Sequence, residues 1–182
     1  SVDDMHLFGN HNYENVMAAI AMTIEAGVPL NIIINVIKDF MGVEHRIEYV
    51  RDKNGVRYYN DSKGTNPDSS IKALEAMSRP TILIAGGYDK HSEFDEFIEA
   101  FDNKVKLMVL LGQTADKIEE TAVRHGFTNI IKTDSLEKAV KICAENAVSG
   151  DVVLLSPACA SWGMFKNYEE RGKLFKEYVN SL

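Results

Sequence analysis

The sequence predicts an α/β fold in which a mainly parallel sheet is flanked by helices. Its 182 residues are 45% hydrophobic and 26% charged, a composition typical of a globular domain with a sizeable core. From about residue 43 onward, β-rich runs alternate with helical patterns, as expected for right-handed βαβ crossovers. The runs at 105–111 and 152–155 are apolar enough for strands buried on both faces. We therefore predict a Rossmann-like domain over residues 42–182.

A short helical segment is predicted before that domain, over residues 1–41. The first helix begins near Asn12 and stops at Gly27, before Pro29. The second carries an apolar stripe with helical spacing and is closed by Gly42. The stripe consists of Leu30, Ile33, Ile34, Ile37 and Met41.

The elements of the second region follow from local patterns. Strands are predicted at 47–50, 56–59, 81–85, 105–111, 129–132 and 152–155, and helices around 94–101, 116–125, 136–147 and 171–182. The Asn54-Gly55 pair predicts a hairpin turn between the first two strands. Asn66 and Pro67 are typical of a helix N-cap and first turn.

The net charge and the distribution of apolar residues exclude some classes of protein. The net charge of −7 argues against a general nucleic-acid or anionic-membrane binder, so any anionic ligand must be bound locally. No run approaches the roughly 20 apolar residues of a membrane span, and residues 1–10 do not resemble a signal peptide. We expect a cytoplasmic protein. Cys143 and Cys159 offer neither a disulfide framework nor a paired-cysteine zinc site.

Candidate binding residues lie in the loops that follow predicted strands, where parallel sheets bind ligands. These loops are 61–68, 86–90, 112–114 and 156–163, and they share one edge if their strands are neighbours. Asp61 could accept hydrogen bonds from ribose hydroxyls, and Lys63 and Lys90 could bind phosphate or carboxylate. Purely structural interpretations stay open: a solvated side chain for Lys90, and a helix N-cap for Ser161.

Several familiar signatures are absent. The sequence has no G-x-x-x-x-G-K-[ST] loop, no G-x-G-x-x-G fingerprint and no H-E-x-x-H helix. Ser156 and Ser161 do not occur in G-x-S-x-G, which argues against a hydrolase of that type. The five histidines show no metal-ligand spacing.

Five motifs, in this order and spacing, nevertheless span nearly the whole chain. They are His11-Asn12-x-x-Asn15, Glu44-His45-Arg46-x-Glu48, Asn60-Asp61-Ser62-Lys63-Gly64-Thr65-Asn66, Gly86-Gly87-x-Asp89-Lys90, and Ser156-Pro157-Ala158-Cys159-Ala160-Ser161 with Phe165-Lys166-Asn167-Tyr168-Glu169-x-Arg171-Gly172. With these motifs the sequence resembles the C-terminal part of proteins in the Mur ligase family. The resemblance is strongest to the branch of the family that adds D-glutamate.

The resemblance implies an ATP-dependent amide ligase of peptidoglycan precursor synthesis, which joins D-glutamate to UDP-N-acetylmuramoyl-L-alanine through an acyl phosphate. It implies ATP contacts at Asn12, Asn15, Arg46, Asp61 and Lys63. It implies D-glutamate contacts at Thr65, Lys90, Ser161, Trp162 and Tyr168. It assigns no catalytic residue and no metal ligand to this stretch, because the UDP-binding domain, the phosphate loop and most Mg²⁺ ligands of the family have no counterpart here.

The resemblance therefore predicts that residues 1–41 are the last helices of a central ATP-binding domain, and that this chain alone is a monomer without turnover. Trp162 and Gly163 depart from the pattern of many relatives, so the shape of their loop stays open. Two alternatives also stay open. One is a free-standing nucleotide- or amino-acid-binding module, and the other is a different Mur-type or folylpolyglutamate ligase.

Overall fold

The computed structural model describes Met5, Leu7 and residues 9–182, apart from the side chains of Asn10 and His11. The expectation about a signal peptide falls mostly on residues outside this range, as does the side chain of His11. The chain divides into two compact units, Ser1–Glu44 and His45–Leu182, which are described separately. Within the described residues, no helix is both long and apolar enough to cross a membrane.

The first unit is a pair of helices, α1 (Asn10–Glu25) and α2 (Leu30–Asp39). Between them Gly27 adopts a left-handed φ of 81°, which ends α1 at low steric cost. In α2 only Ile33 is buried. Large apolar side chains of this unit are instead exposed, namely Met17, Met22, Ile24, Leu30, Ile32, Ile34, Val36, Phe40, Met41 and Val43.

The second unit is a six-stranded sheet with helices on both faces. The strands are β1 (Glu48–Lys53), β2 (Val56–Asn60), β3 (Thr81–Ala85), β4 (Val105–Leu110), β5 (Ile130–Lys132) and β6 (Val152–Leu155). The helices are α3 (Pro67–Glu75), α4 (Asp95–Glu99), α5 (Ala115–Arg124), α6 (Leu136–Asn146) and α7 (Tyr168–Ser181).

The strand order is β1-β2-β6-β3-β4-β5. Only the β1–β2 pair is antiparallel, and the four other pairs are parallel, so the predicted α/β fold with a mainly parallel sheet is confirmed. The β1–β2 turn has positive φ at Asn54 (55°) and Gly55 (80°), the conformation that suits a two-residue hairpin. The last strand in the sequence, β6, lies in the middle of the sheet.

Two layers of apolar side chains cover the faces of this sheet, one beneath α3, α4 and α5 and the other beneath α6 and α7. All residues of β3 and β6 are buried, as their apolar runs predict. The predicted face at 94–101 is buried too, although the helix itself covers only Asp95–Glu99.

Two local expectations are corrected. The last helix begins at Tyr168 rather than Arg171, because the Asn167 side chain accepts a hydrogen bond from the Glu170 N–H at 2.8 Å and caps it there. Ser161 therefore does not cap this helix. Asn66 caps α3 as predicted, and it accepts a hydrogen bond from the Ser69 N–H at 2.9 Å.

Candidate functional site

The four loops singled out in the sequence share one edge of the sheet. Strands β2, β6, β3 and β4 are consecutive neighbours and parallel, so the loops after them emerge side by side. Backbone hydrogen bonds join these loops. The Gly86 N–H donates to the Pro157 carbonyl at 2.8 Å, and the Tyr88 N–H donates to the Ala160 carbonyl at 2.9 Å. This edge is the candidate ligand-binding site of the second unit.

Glycines at the end of β3 allow the loops to approach each other. Gly86 and Gly87 both have positive φ, at 101° and 154°. A Cβ atom on Gly86 would overlap the carbonyl oxygen of Leu111, and one on Gly87 would overlap that of Ala160. Side chains at these positions would therefore push the neighbouring loops apart.

Asp61 is buried, and its side chain forms hydrogen bonds with two other segments of the chain. One carboxylate oxygen accepts a hydrogen bond from the Ser156 hydroxyl at 2.7 Å, and the other accepts one from the Ile47 N–H at 3.2 Å. Burial raises the pKa of Asp61 to about 7, although both hydrogen bonds act to lower it. The side chain thus ties the loop after β2 to the loop after β6.

A second buried hydroxyl holds the loop after β6. The Ser70 hydroxyl of α3 lies 2.8 Å from the Ser156 hydroxyl and accepts a hydrogen bond from the Ala158 N–H at 3.0 Å. Ala158 has a left-handed φ of 56°, which is unfavourable for a residue with a Cβ. The surrounding hydrogen bonds maintain this conformation.

Arg171 is central to this edge, although the sequence indicated it only as part of a helix and of the last motif. It is buried and donates hydrogen bonds to the hydroxyl and the carbonyl of Ser62 at 2.9 and 2.7 Å, and to the Cys159 carbonyl at 3.1 Å. Burial lowers the pKa of Arg171 to about 10. Its place in the last motif was the one available signal, because a charged helical residue is otherwise expected to face solvent.

Lys63 and Tyr168 contact each other at this edge. The Lys63 ammonium lies 5.3 Å from the centre of the Tyr168 ring and 3.5 Å from its hydroxyl. The Tyr168 carbonyl accepts a hydrogen bond from the Ser62 hydroxyl at 2.8 Å. Thr65 follows Lys63 and is partly exposed. The predicted phosphate contact and two predicted D-glutamate contacts therefore lie on adjoining segments.

Lys90 and Trp162 form a similar pair in the next two loops. The Lys90 ammonium lies 5.0 Å from the centre of the Trp162 ring, which packs edge-on against Tyr88 at 5.5 Å. Ser161 is buried beside them, and its carbonyl accepts a hydrogen bond from the Phe165 N–H at 3.0 Å. The structure thus brings Lys90, Ser161 and Trp162 together.

The remaining predicted ATP contacts lie elsewhere in the sequence. Asn12 and Asn15 are one helical turn apart on α1, where Asn12 is buried and Asn15 is exposed. They belong to the helical unit. Arg46 is exposed at the start of the second unit, just before Ile47. The roles of all three in ATP binding stay predictions.

This chemistry suits the binding of an anion rather than nucleophilic catalysis. Lys63 and Lys90 present two ammonium groups and Thr65 adds a partly exposed hydroxyl. The thiol of Cys159 lies at the same edge, but burial raises its pKa to about 11. It is therefore protonated near neutral pH and a poor nucleophile.

Comparison with known proteins places this geometry in a family. Residues 45–159 match the family described as "Mur ligase, glutamate ligase domain". The whole chain is 66% identical to part of the UDP-N-acetylmuramoylalanine–D-glutamate ligase of Lachnospira eligens, and 60% identical to part of the enzyme of the same name from Lachnoclostridium phytofermentans. It spans only 40% of the length of each.

Solved structures agree on the fold. The UDP-N-acetylmuramate–alanine ligase MurC of Thermotoga maritima superposes with a TM-score of 0.73 at 17% identity, covering 97% of this chain and 39% of that one. The folylpolyglutamate synthase of the same organism gives a TM-score of 0.64 at 15% identity, covering 97% of this chain and 40% of that one. The match over residues 45–159, which is more than half of the chain, shows that the chain belongs to the Mur ligase family.

Proposed function

We propose that this chain is the C-terminal part of an ATP-dependent ligase that adds D-glutamate to UDP-N-acetylmuramoyl-L-alanine in peptidoglycan precursor synthesis. The observation that carries the proposal is the joining of four loops at one sheet edge, where Lys63 and Lys90 present their ammonium groups. The names of the relatives that are 66% and 60% identical supply the substrate.

The reaction proceeds in two steps. The γ-phosphoryl group of ATP passes to the carboxylate of UDP-N-acetylmuramoyl-L-alanine, which gives an acyl phosphate and ADP. The amine of D-glutamate then attacks the acyl carbon, the bond to the phosphate oxygen breaks, and the amine loses a proton as phosphate leaves. A bound acyl phosphate benefits from the exclusion of water, because water would compete with the amine.

D-Glutamate is assigned to the part of the edge formed by the loops after β2, β3 and β6. Its two carboxylates require cations and hydroxyl donors on a protein whose net charge is −7. We assign that task to Thr65, Lys90 and Ser161, with Trp162 and Tyr168 as the aromatic residues that frame the site. Support comes from their placement on adjoining segments of the same edge.

ATP is assigned to Asn12, Asn15, Arg46, Asp61 and Lys63. Both Asp61 oxygens already accept a hydrogen bond within the chain, but a carboxylate can accept about four. A ribose hydroxyl could therefore share Asp61 with Ser156 or Ile47. Lys63 keeps its positive charge available for phosphate, because its ammonium lies beside the uncharged ring and hydroxyl of Tyr168.

The helical unit is assigned to the end of a central ATP-binding domain, and most ligands of Mg²⁺ to the part of the longer enzyme that precedes it. We further propose that the enzyme is cytoplasmic and monomeric. Because this chain spans only 40% of the length of these relatives, it should have no turnover alone.

A phosphate-release assay tests the proposal. It uses ATP, UDP-N-acetylmuramoyl-L-alanine and D-glutamate, with L-glutamate as the matched control. The longer enzyme should release phosphate only with D-glutamate, and this chain alone should release none. Equal turnover with L-glutamate, or robust turnover by this chain, would overturn the proposal.

Replacing Lys90 tests the assigned site directly. In the longer enzyme, Lys90→Ala removes a charge-assisted contact worth about 1.5–3 kcal/mol, so the KM for D-glutamate should rise by about 10- to 100-fold. Lys141→Ala is the control, because Lys141 lies on α6 near the β1–β2 turn, away from the loops of this edge. An unchanged KM in Lys90→Ala would remove Lys90 from the site.

A further inference from the structure

The aromatic pair at the sheet edge is unusually exposed for its size. Trp162 is 53% exposed and Tyr88 is 39% exposed, yet their rings pack edge-on with centres 5.5 Å apart. Six aromatic side chains of this unit are instead buried in the core, namely Tyr58, Tyr59, Phe94, Phe97, Phe101 and Phe175. The pair therefore contributes little to the core, and what it does contact is the ammonium of Lys90.

The backbone places this pair firmly. The Tyr88 N–H donates to the Ala160 carbonyl, so the loops after β3 and β6 are joined immediately beside both rings. The Thr114 hydroxyl lies 3.2 Å from the Cys159 sulfur and accepts a hydrogen bond from the Gly87 N–H at 3.0 Å. The ring of Trp162 thus projects from a loop that contacts the loops after β3 and β4.

The choice of an aromatic ring as the partner of Lys90 has an electrostatic consequence. A carboxylate partner would neutralise the ammonium and repel an anionic ligand. A ring face attracts the cation by only about 0.5–1 kcal/mol at an exposed site and leaves its charge uncancelled. Within residues 12–182, no carboxylate lies within 4.0 Å of the Lys90 ammonium.

The same construction occurs a second time at this edge. Lys63 lies over the ring of Tyr168, with 5.3 Å between the ammonium and the ring centre. Both lysines that we assign to anionic ligands are therefore held by aromatic rings. Other lysines of this unit, such as Lys106, Lys138 and Lys141, are paired with carboxylates instead.

We propose that Trp162 is a positioning residue: its ring holds the Lys90 ammonium at the sheet edge, and the ammonium binds a carboxylate of the ligand while it stays over the ring. This inference rests on the proposed function for the identity of the ligand, D-glutamate. The positioning itself is a property of the ligand-free chain and can be tested without any ligand.

The first test uses the fluorescence of this chain, since Trp162 is its only tryptophan. Lys90→Met removes the cation, and should shift the emission maximum and raise quenching by acrylamide, a neutral quencher. Lys90→Arg keeps a cation over the ring and should resemble the unmodified chain. Lys141→Met is the matched control and should change neither quantity. Identical emission and quenching in Lys90→Met and the unmodified chain would overturn the stacking, whatever ligand the site binds.

The second test is a double-mutant cycle in the longer enzyme. Trp162→Leu should raise the KM for D-glutamate about two- to fivefold, the fold-change expected from an exposed cation–ring contact, and should change kcat less. Trp162→Phe, which keeps a ring, should recover most of the loss. In a Lys90→Met background Trp162→Leu should have no further effect, because Trp162 acts through Lys90.

The outcomes separate the two proposals. If Trp162→Leu raises the KM equally in both backgrounds, Trp162 acts on the ligand directly and the positioning role is wrong. If D-glutamate turnover is normal and Trp162→Leu leaves the KM unchanged, the positioning role is wrong while the proposed function stands. If the unmodified enzyme does not use D-glutamate, the proposed function fails, and the ligand-dependent half of this inference fails with it.

Discussion

The two units of this chain differ in how far their apolar side chains are buried. In the sheet unit every residue of β3 is buried, including Leu83, which has no exposed surface. In the helical unit α2 buries only Ile33, while Val36 remains 60% exposed. Helices normally gain most of their stability by packing an apolar face against other elements. The sheet unit thus contains the partners of its apolar side chains, and the helical unit contains few of them.

Because of this difference, the sheet unit is held together by its own packing, whereas the helical unit leaves apolar surface exposed. Close packing on both faces holds the sheet and the loops at its edge in one arrangement. The helical unit presents the kind of apolar surface that marks an interface with other polypeptide. The curated relatives are about two and a half times as long as this chain, which spans 40% of them, so such polypeptide exists in those proteins.

The largest expected effect is on the packing of the loops. Gly86→Ala combines an unfavourable φ of 101° with overlap against the Leu111 carbonyl, and should lower the free energy of unfolding by about 2–6 kcal/mol. Gly126→Ala is the matched control, because Gly126 also has a left-handed φ (84°) but open space around it. Urea unfolding followed by Trp162 fluorescence measures both. Equal losses would show that the loops are not closely packed.

The next effect contrasts the two units directly. Leu83→Ala leaves a cavity beneath the sheet and should cost about 2–5 kcal/mol. Val36→Ala on the exposed face of α2 should change stability by about 0.5 kcal/mol or less. Unfolding followed by circular dichroism measures both variants, because both units contribute to the signal. A large loss in Val36→Ala would mean that this face is packed, and the contrast would fail.

The third effect concerns pH and the buried Asp61. Its folded pKa of about 7 is raised above the ordinary aspartate value of about 3.9, so the folded chain holds this proton more tightly than the unfolded chain. The resulting stability is fully present below the unfolded pKa and is lost as the pH rises through the folded pKa. Between about pH 4 and pH 7 the free energy of unfolding should therefore lose up to about 4 kcal/mol from this group.

Asp61→Asn isolates that contribution. Exposed carboxylates such as Asp95 and Asp134 have lowered pKa values, because hydrogen bonds from His125 and Lys138 favour their charged forms, and they oppose the trend. The difference between the unmodified chain and Asp61→Asn cancels them. Urea unfolding at several pH values measures that difference. A difference that does not vary with pH would show that Asp61 ionises as it would in water.

Strands, turns and helix caps could be predicted from the sequence. The apolar runs at Thr81–Ala85 and Val152–Leu155 became strands with the predicted bounds, because a run buried on both faces needs no particular partner to be recognised. The Asn54-Gly55 turn and the Asn66 cap also follow from short-range sterics and hydrogen bonds. The ends of α4 and α7 were misplaced, since periodicity alone does not mark where a helix stops or is capped.

The candidate site could be predicted only in part from the sequence. Motifs and glycines indicated the loops that meet at this edge, and Lys63 and Lys90 in those loops stay predicted contacts. Arg171 was missed, because its burial depends on Ser62 and Cys159, which are 109 and 12 residues away in the sequence. The internal contacts of Asp61 were missed for the same reason, since Ser156 is 95 residues distant.

The sequence by itself therefore determined most of the elements and the chemical character of the loops. The tertiary structure decided the strand order, and with it the insertion of β6 between β2 and β3. That insertion brings Ser156 to Asp61 and Trp162 to Lys90. The physical reason is that local patterns depend on a few neighbouring residues, whereas strand order depends on the combined burial and hydrogen bonding of segments that lie far apart in the chain.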